Sequence, residues 1–239
     1  TLNTIVGGLA GDALTEGNNN TVMGYAALSS ETLGDRNVAI GNFALENQNN
    51  TSDTDAYNTA VGYKAGNAVT TGIKNTLIGG LTGDALTTGA GNVALGYNAL
   101  STEDTGGKNT AIGHESLTNL NFDGDAYNTA VGFNSGLSIT TGVQNTLIGG
   151  NAGDALTSAN NNVAIGYNAM GSEDTGDGST AVGHSALAAM NYDGYAHNTA
   201  IGYHAGKSVT TGIQNTILGG LAGDNLTEGG YNVAIGYAA

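Results

Sequence analysis

The chain has 239 residues, 41 of them glycine, with no proline, cysteine or tryptophan; twenty acidic residues against five lysines and arginines give a formal net charge of −15. That balance repels polyanions and so disfavours nucleic-acid binding, the lack of cysteine removes disulfides and thiolate metal sites, and no apolar run is long enough to insert in a membrane as a helix. Glycine without a three-residue period is not collagen, and 39% apolar residues is too many for a disordered linker.

In chain order, a pentapeptide of Asn, Thr or Val, two apolar residues and Gly opens at Asn3. It returns at Asn20, Asn37, Asn58, Asn75, Asn92, Asn109, Asn128, Asn145, Asn162, Ser179 (in place of Asn), Asn198, Asn215 and Asn232. The spacing is 17 residues except for 21 before Asn58 and 19 before Asn128 and before Asn198. Four turn types recur in order, which makes a 70-residue super-repeat with one longer loop per block. The opening at Thr1 reads as a processed product or an excised segment.

A coil of this length holds two or three short strands joined by Gly, Asn, Asp and Thr turns, and it is too short for a βαβ unit. Glycine density and the lack of a 3.6-residue apolar period argue against helix. The pattern predicts an all-β protein: a parallel β-solenoid (β-roll) of about fourteen coils forming a single repeat domain over 1–239.

The third and fourth motif positions are apolar in every coil. The fourth, with the Thr or Val of the second, is expected to face the coil's own core. The third then faces outward, so Leu77, Ala94, Ala111, Ala130, Leu147 and Ala164 are expected to meet partner chains. A small residue three places after the motif Gly, as at Ala27, Ala65, Thr82, Ala99, Ser116 and Ala169, fits close packing of a homo-oligomer.

NVAIGY at Asn162 and NTAIG at Asn109 and Asn198 resemble the head repeats of YadA-like trimeric autotransporter adhesins and the coils of phage tail fibres. The resemblance covers essentially the whole chain. It implies a left-handed β-roll, a side-by-side homotrimer, an extracellular, cell-surface or virion location, and adhesion to a host or cell-surface receptor.

Asn58, Asn75, Asn92, Asn109, Asn128, Asn145 and Asn162 are expected to stack as a structural amide ladder. Tyr63, Tyr97, Phe133, Tyr167 and Tyr203, with Tyr25 and Tyr237, follow the motif Gly and are candidates for a surface that cradles sugar rings, or for a ladder between coils; His114 and His184 hold that place in the fourth coil type. Asp53, Asp55, Asp123 and Asp125 are candidate calcium ligands, read against the plainer alternative of solvated turns because no EF-hand or nonapeptide calcium pattern is present. The acidic turns at Glu103 and Asp104 and at Glu173, Asp174 and Asp177 read likewise as solvated. His114, His184, His197 and His204 stand in separate coils, and no nucleophile, base or phosphate-loop pattern appears, so no enzyme activity is expected.

The reading is an extracellular attachment fibre that binds cell-surface glycans or proteins by many weak contacts, with Asn119 to Tyr127 and Leu187 to His197 as exposed contact loops. A purely structural filament is the alternative. Ice binding is a third class, set aside because the motif threonines Thr59, Thr76, Thr110 and Thr129 are interrupted by Val38, Val93 and Val163 and are expected to face inward.

Overall fold

The structure is a computed structural model that describes residues 2–239. The chain is an all-β parallel β-solenoid of about fourteen turns, with no helix among the described residues long and apolar enough to cross a membrane. By internal contacts it divides into two compact units, Thr1–Ala126 and Tyr127–Ala239.

The first unit contains β1 (Thr4–Val6), β2 (Thr21–Met23), β3 (Gly34–Asp35), β4 (Val38–Ile40), β5 (Thr54–Asp55), β6 (Thr59–Val61), β7 (Thr76–Ile78), β8 (Val93–Leu95) and β9 (Thr110–Ile112). β3 and β5 make a two-residue side ladder, and the other strands pair in sequence order, all parallel. The second unit contains β10 (Thr129–Val131), β11 (Thr146–Ile148), β12 (Val163–Ile165), β13 (Thr180–Val182), β14 (Thr199–Ile201), β15 (Thr216–Leu218) and β16 (Val233–Ile235), paired in the same way. Motif position always meets motif position, as where Thr59, Ala60 and Val61 lie opposite Thr76, Leu77 and Ile78.

Each turn carries one regular three-residue strand, not two or three longer ones. The motif glycine ends it: Gly79 has φ +139°, and a Cβ there would lie 2.5 Å from the carbonyl oxygen of Gly96 one turn on. Beyond it the backbone bends through left-handed residues such as Lys64 (φ +56°) and Lys74 (φ +61°). These sides stay tied from turn to turn without strand geometry. The Gly66 N–H donates to the Thr82 carbonyl and the Thr70 N–H to the Thr87 carbonyl, both at 2.9 Å.

The faces of the strand are the reverse of the expectation. Leu77, Ala94, Ala111, Ala130, Leu147 and Ala164 are buried in the chain's own core, whereas the second and fourth positions point outward. The reason lies at the first position. From Asn20 to Asn215 every motif Asn is itself buried with its amide tied inside the turn, so strand alternation carries the third position inward and the second and fourth out. The narrow interior also takes alanine where it has no room for a ring of β-branched side chains. The small row at Ala27, Ala65, Thr82, Ala99, Ser116 and Ala169 is likewise buried within the chain, and the motif threonines face outward, not inward.

Core volume is conserved by exchange between positions. A Cβ on Gly66 or Gly83 would lie 2.7 or 2.9 Å from a methyl of Leu77, and one on Gly153 would lie 2.8 Å from a methyl of Leu147. In the turns of Ala94, Ala111, Ala164 and Ala181 the place of Gly83 and Gly153 is taken by Leu100, Leu117, Met170 and Leu187, all fully buried, whereas the turns of Ala60 and Ala200 keep Gly66 and Gly206 there, where a Cβ would meet Leu77 or Ile217 of the next turn. Close packing of this kind fixes each turn's shape and so holds the outer rows in line.

Candidate functional site

The amide ladder positions everything on the outer surface. The side-chain oxygen of Asn58 accepts the N–H of Asn75, that of Asn75 accepts the N–H of Asn92, and that of Asn92 accepts the N–H of Asn109, each at 2.9 Å. In the second unit Asn128 serves Asn145 and Asn145 serves Asn162 at 3.0 Å. Except where a longer loop follows, as at Asn37 and Asn109, the amide also donates to a turn carbonyl fourteen residues on, as from Asn75 to Gly89 at 2.9 Å and from Asn162 to Gly176 at 2.7 Å. These buried bonds fix the strand start in every turn, and with it the ring that follows the motif Gly.

Those rings are exposed. Tyr63 is 52%, Phe133 55% and Tyr167 57% accessible, and Tyr97 and Tyr203 are similar. In the first unit Tyr25 meets Phe43 edge-on with centroids 5.6 Å apart, Phe43 meets Tyr63 at 6.2 Å, and Tyr97 lies 5.4 Å from the His114 ring. In the second unit the His184 ring sits 5.3 Å from Tyr167 and 5.5 Å from both Tyr203 and His204, while Tyr203 and His204 stack at 3.8 Å. The structure therefore brings the candidate rings into inter-turn rows whose outer edges meet solvent. Phe43 and His204 join them although each stands one residue beyond the expected position; their left-handed backbone (φ +62° and +55°) turns them into the row.

Three of the four candidate calcium ligands have protein partners. Asp55 forms an ion pair with Arg36, whose guanidinium lies 5.7 Å from the centre of the Tyr57 ring, and Asp125 pairs with Lys108 at 2.6 Å. Asp123 accepts the Thr105 hydroxyl at 2.8 Å, and Asp53 is exposed. In the third block Gly178 stands at the cation's place and Tyr195 at the aspartate's, with Tyr195 now stacked on His197 at 5.6 Å. Cation and anion change together, so these carboxylates form inter-turn pairs. No group of three or more metal-ligating side chains is gathered among the described residues.

Glu103 and Glu173 correct the reading of their turns as solvated: both are fully buried, as is Glu31. They stand at a core place that Leu86, Ile139 and Leu156 occupy in other turns. One Glu103 oxygen accepts the Asp104 and Gly106 N–H groups at 3.1 and 2.7 Å, and the other accepts the Phe122 N–H at 3.1 Å. Burial pushes the carboxyl groups of Glu103 and Glu173 up, with backbone N–H donors opposing it. Each glutamate precedes a turn that ends in a longer loop and supplies there an acceptor for a loop N–H. The loops Asn119 to Tyr127 and Leu187 to His197 are themselves only partly exposed, since Leu120, Ala126, Leu187, Met190 and Ala196 are buried.

No pocket opens among the described residues. What the surface offers is repetition: a row of rings, and beside it the outward sheet face. No protein-family model matches the chain, and neither does any curated protein or solved structure.

Proposed function

We propose that the chain is a segment of an extracellular attachment fibre that binds cell-surface glycans or proteins through many weak, repeated contacts. The observation that carries this reading is the exposed aromatic row in each unit, one residue after the motif Gly. Aromatic faces and edges pack against the apolar faces of sugars and against protein side chains. Each such contact is weak, but rows repeated in one chain, and in copies carried side by side as a homo-oligomer, raise the effective concentration for the next contact. The buried amide ladder and tight core keep the rows from changing shape on contact, which limits the ordering cost of binding.

The test is binding of the purified chain to a glycan array and to whole cells, beside a variant with Tyr97, Tyr167 and Tyr203 changed to Ala. These side chains are outward, so the variant keeps the core. Loss of attachment with an unchanged melting temperature supports the reading, and undiminished attachment refutes it. Sedimentation of the same sample gives the copy number.

A further inference from the structure

The outward sheet face has no role in the reading above. In each unit its second motif position is Thr, replaced here and there by Val, and its fourth is Val, Ile, Leu or Met. Neither row contains a charged residue, in a chain whose net charge is −15. Its hydroxyls also differ from those of the turn threonines Thr70 and Thr87. The Thr70 hydroxyl donates to the Thr87 carbonyl at 3.2 Å and that of Thr87 to the Asp104 carbonyl at 3.0 Å. The hydroxyls of Thr59, Thr76, Thr146 and Thr199 bond no other group of the chain among the described residues.

We propose that this face binds ice. Parallel, in-register pairing spaces its ranks about 4.8 Å apart along the stack, with about 6.6 Å between second and fourth positions along each strand. The spacing along the stack lies close to a repeat of the water oxygens on the prism planes of ice. Each threonine offers a methyl group that excludes bulk water and a hydroxyl that can occupy a lattice site. Valine has the same shape as threonine, so Val93 or Val163 keeps the methyl array unbroken and omits only one hydroxyl. A charged side chain would hold its own hydration shell out of register, and none is present. A second copy pressed on this face would bury its hydroxyls, at about 1–3 kcal/mol for each one left without a partner, a cost that ordered water does not impose. The inference is independent of what the aromatic rows contact.

Thermal hysteresis and the habit of a single ice crystal, measured with the purified chain, test it. Thr76→Lys and Thr146→Lys place a charge on the face in each unit; Ser158→Lys, at an exposed turn position away from the strands, is the control. The expected result is hysteresis with faceted growth for the unaltered chain and the control, and a several-fold loss for either threonine variant. Should a lysine variant melt early, Thr76→Val with Thr146→Val keeps the shape and is expected to lose part of the activity. Absence of hysteresis and faceting in the unaltered chain overturns the proposal. So does a stable oligomer in sedimentation that Thr76→Lys dissociates, which would give the face to copies of the chain.

Discussion

The side-chain oxygen of Asn162 accepts the backbone N–H of Ser179 at 2.9 Å, while the Ser179 hydroxyl accepts the N–H of Asn198 at 3.2 Å. Ser179 thus fills the acceptor half of the ladder without the donor half. At the equivalent places in the other blocks the donor half is weakly used. The Asn37 amide donates only to Asn20, at 3.1 Å, and that of Asn109 has contacts of 3.2 and 3.3 Å. The longer loop that follows displaces the carbonyl a 17-residue turn would supply. Ser179→Asn is therefore expected to shift stability by no more than about 0.5 kcal/mol, against about 2–4 kcal/mol lost in Asn162→Ala, which strands a buried N–H and a buried carbonyl. Urea unfolding of the two variants compares them, and equal costs would refute the division of labour.

The core exchange makes a paired prediction. Leu147→Ala alone opens a cavity and is expected to cost about 2–5 kcal/mol. Gly153→Leu alone overpacks against Leu147 and Leu156, whose methyls lie 2.8 and 2.6 Å from the added Cβ. Together they reproduce the turn in which Ala111, Leu117 and Leu120 are all buried. Leucine accepts the required backbone, since Leu117 has φ +49° where Gly153 has +56°. The double variant is expected to be more stable than either single one, and thermal unfolding that shows simple addition of the two losses would contradict the exchange.

Turn length, turn number and the parallel stack were legible because the motif returns every 17 residues with its Asn and Gly in place. The inward face was not, because Ala60 and Val61 are both apolar and hydropathy cannot rank them. The buried Asn58 beside them decides it, and a ladder residue required to sit inside the turn would have given the answer. Glu103 hid among acidic turn residues, although alignment of the turns puts it level with Leu86, a buried place. The ion pairs could have been found by comparing blocks: Arg36 with Asp55 and Lys108 with Asp125 give way together to Gly178 and Tyr195. Phe43 and His204 could not, since their entry into the ring rows depends on a left-handed φ that composition does not show.

Partly exposed ion pairs contribute little, typically up to about 1 kcal/mol. Asp125→Ala is expected to cost no more than that, and the double change Lys108→Gly with Asp125→Tyr, which copies the third block, should recover most of it. With the carboxylates of Asp55 and Asp125 paired to the chain's own cations, added calcium is expected to leave the melting temperature of the unaltered chain unchanged. A calcium-dependent rise that disappears in Asp125→Ala would show that the ion displaces Lys108.

The buried glutamates give the stability of the fold a pH dependence of defined sign. Burial raises the carboxyl pKa values of Glu103 and Glu173 above the ordinary range, Asp104 and Asp174 add to the rise, and backbone N–H donors at Gly106, Phe122, Gly176 and Tyr192 oppose it. The folded chain then binds these two protons more tightly than the unfolded chain does. Their contribution is fully present below the ordinary glutamate pKa and is lost as pH rises through the raised value. Relief of general repulsion at low pH acts in the same direction, so the comparison needs a variant that keeps the remaining charges. Glu103→Gln with Glu173→Gln removes only the two titrations, and its own amide groups make it less stable at any pH by leaving one N–H per site facing a donor. Measured against that variant, the unaltered chain is expected to gain stability as pH falls from neutral into the ordinary glutamate range. A difference that moves the other way would mean that the N–H donors outweigh burial and hold the carboxylates charged in the fold.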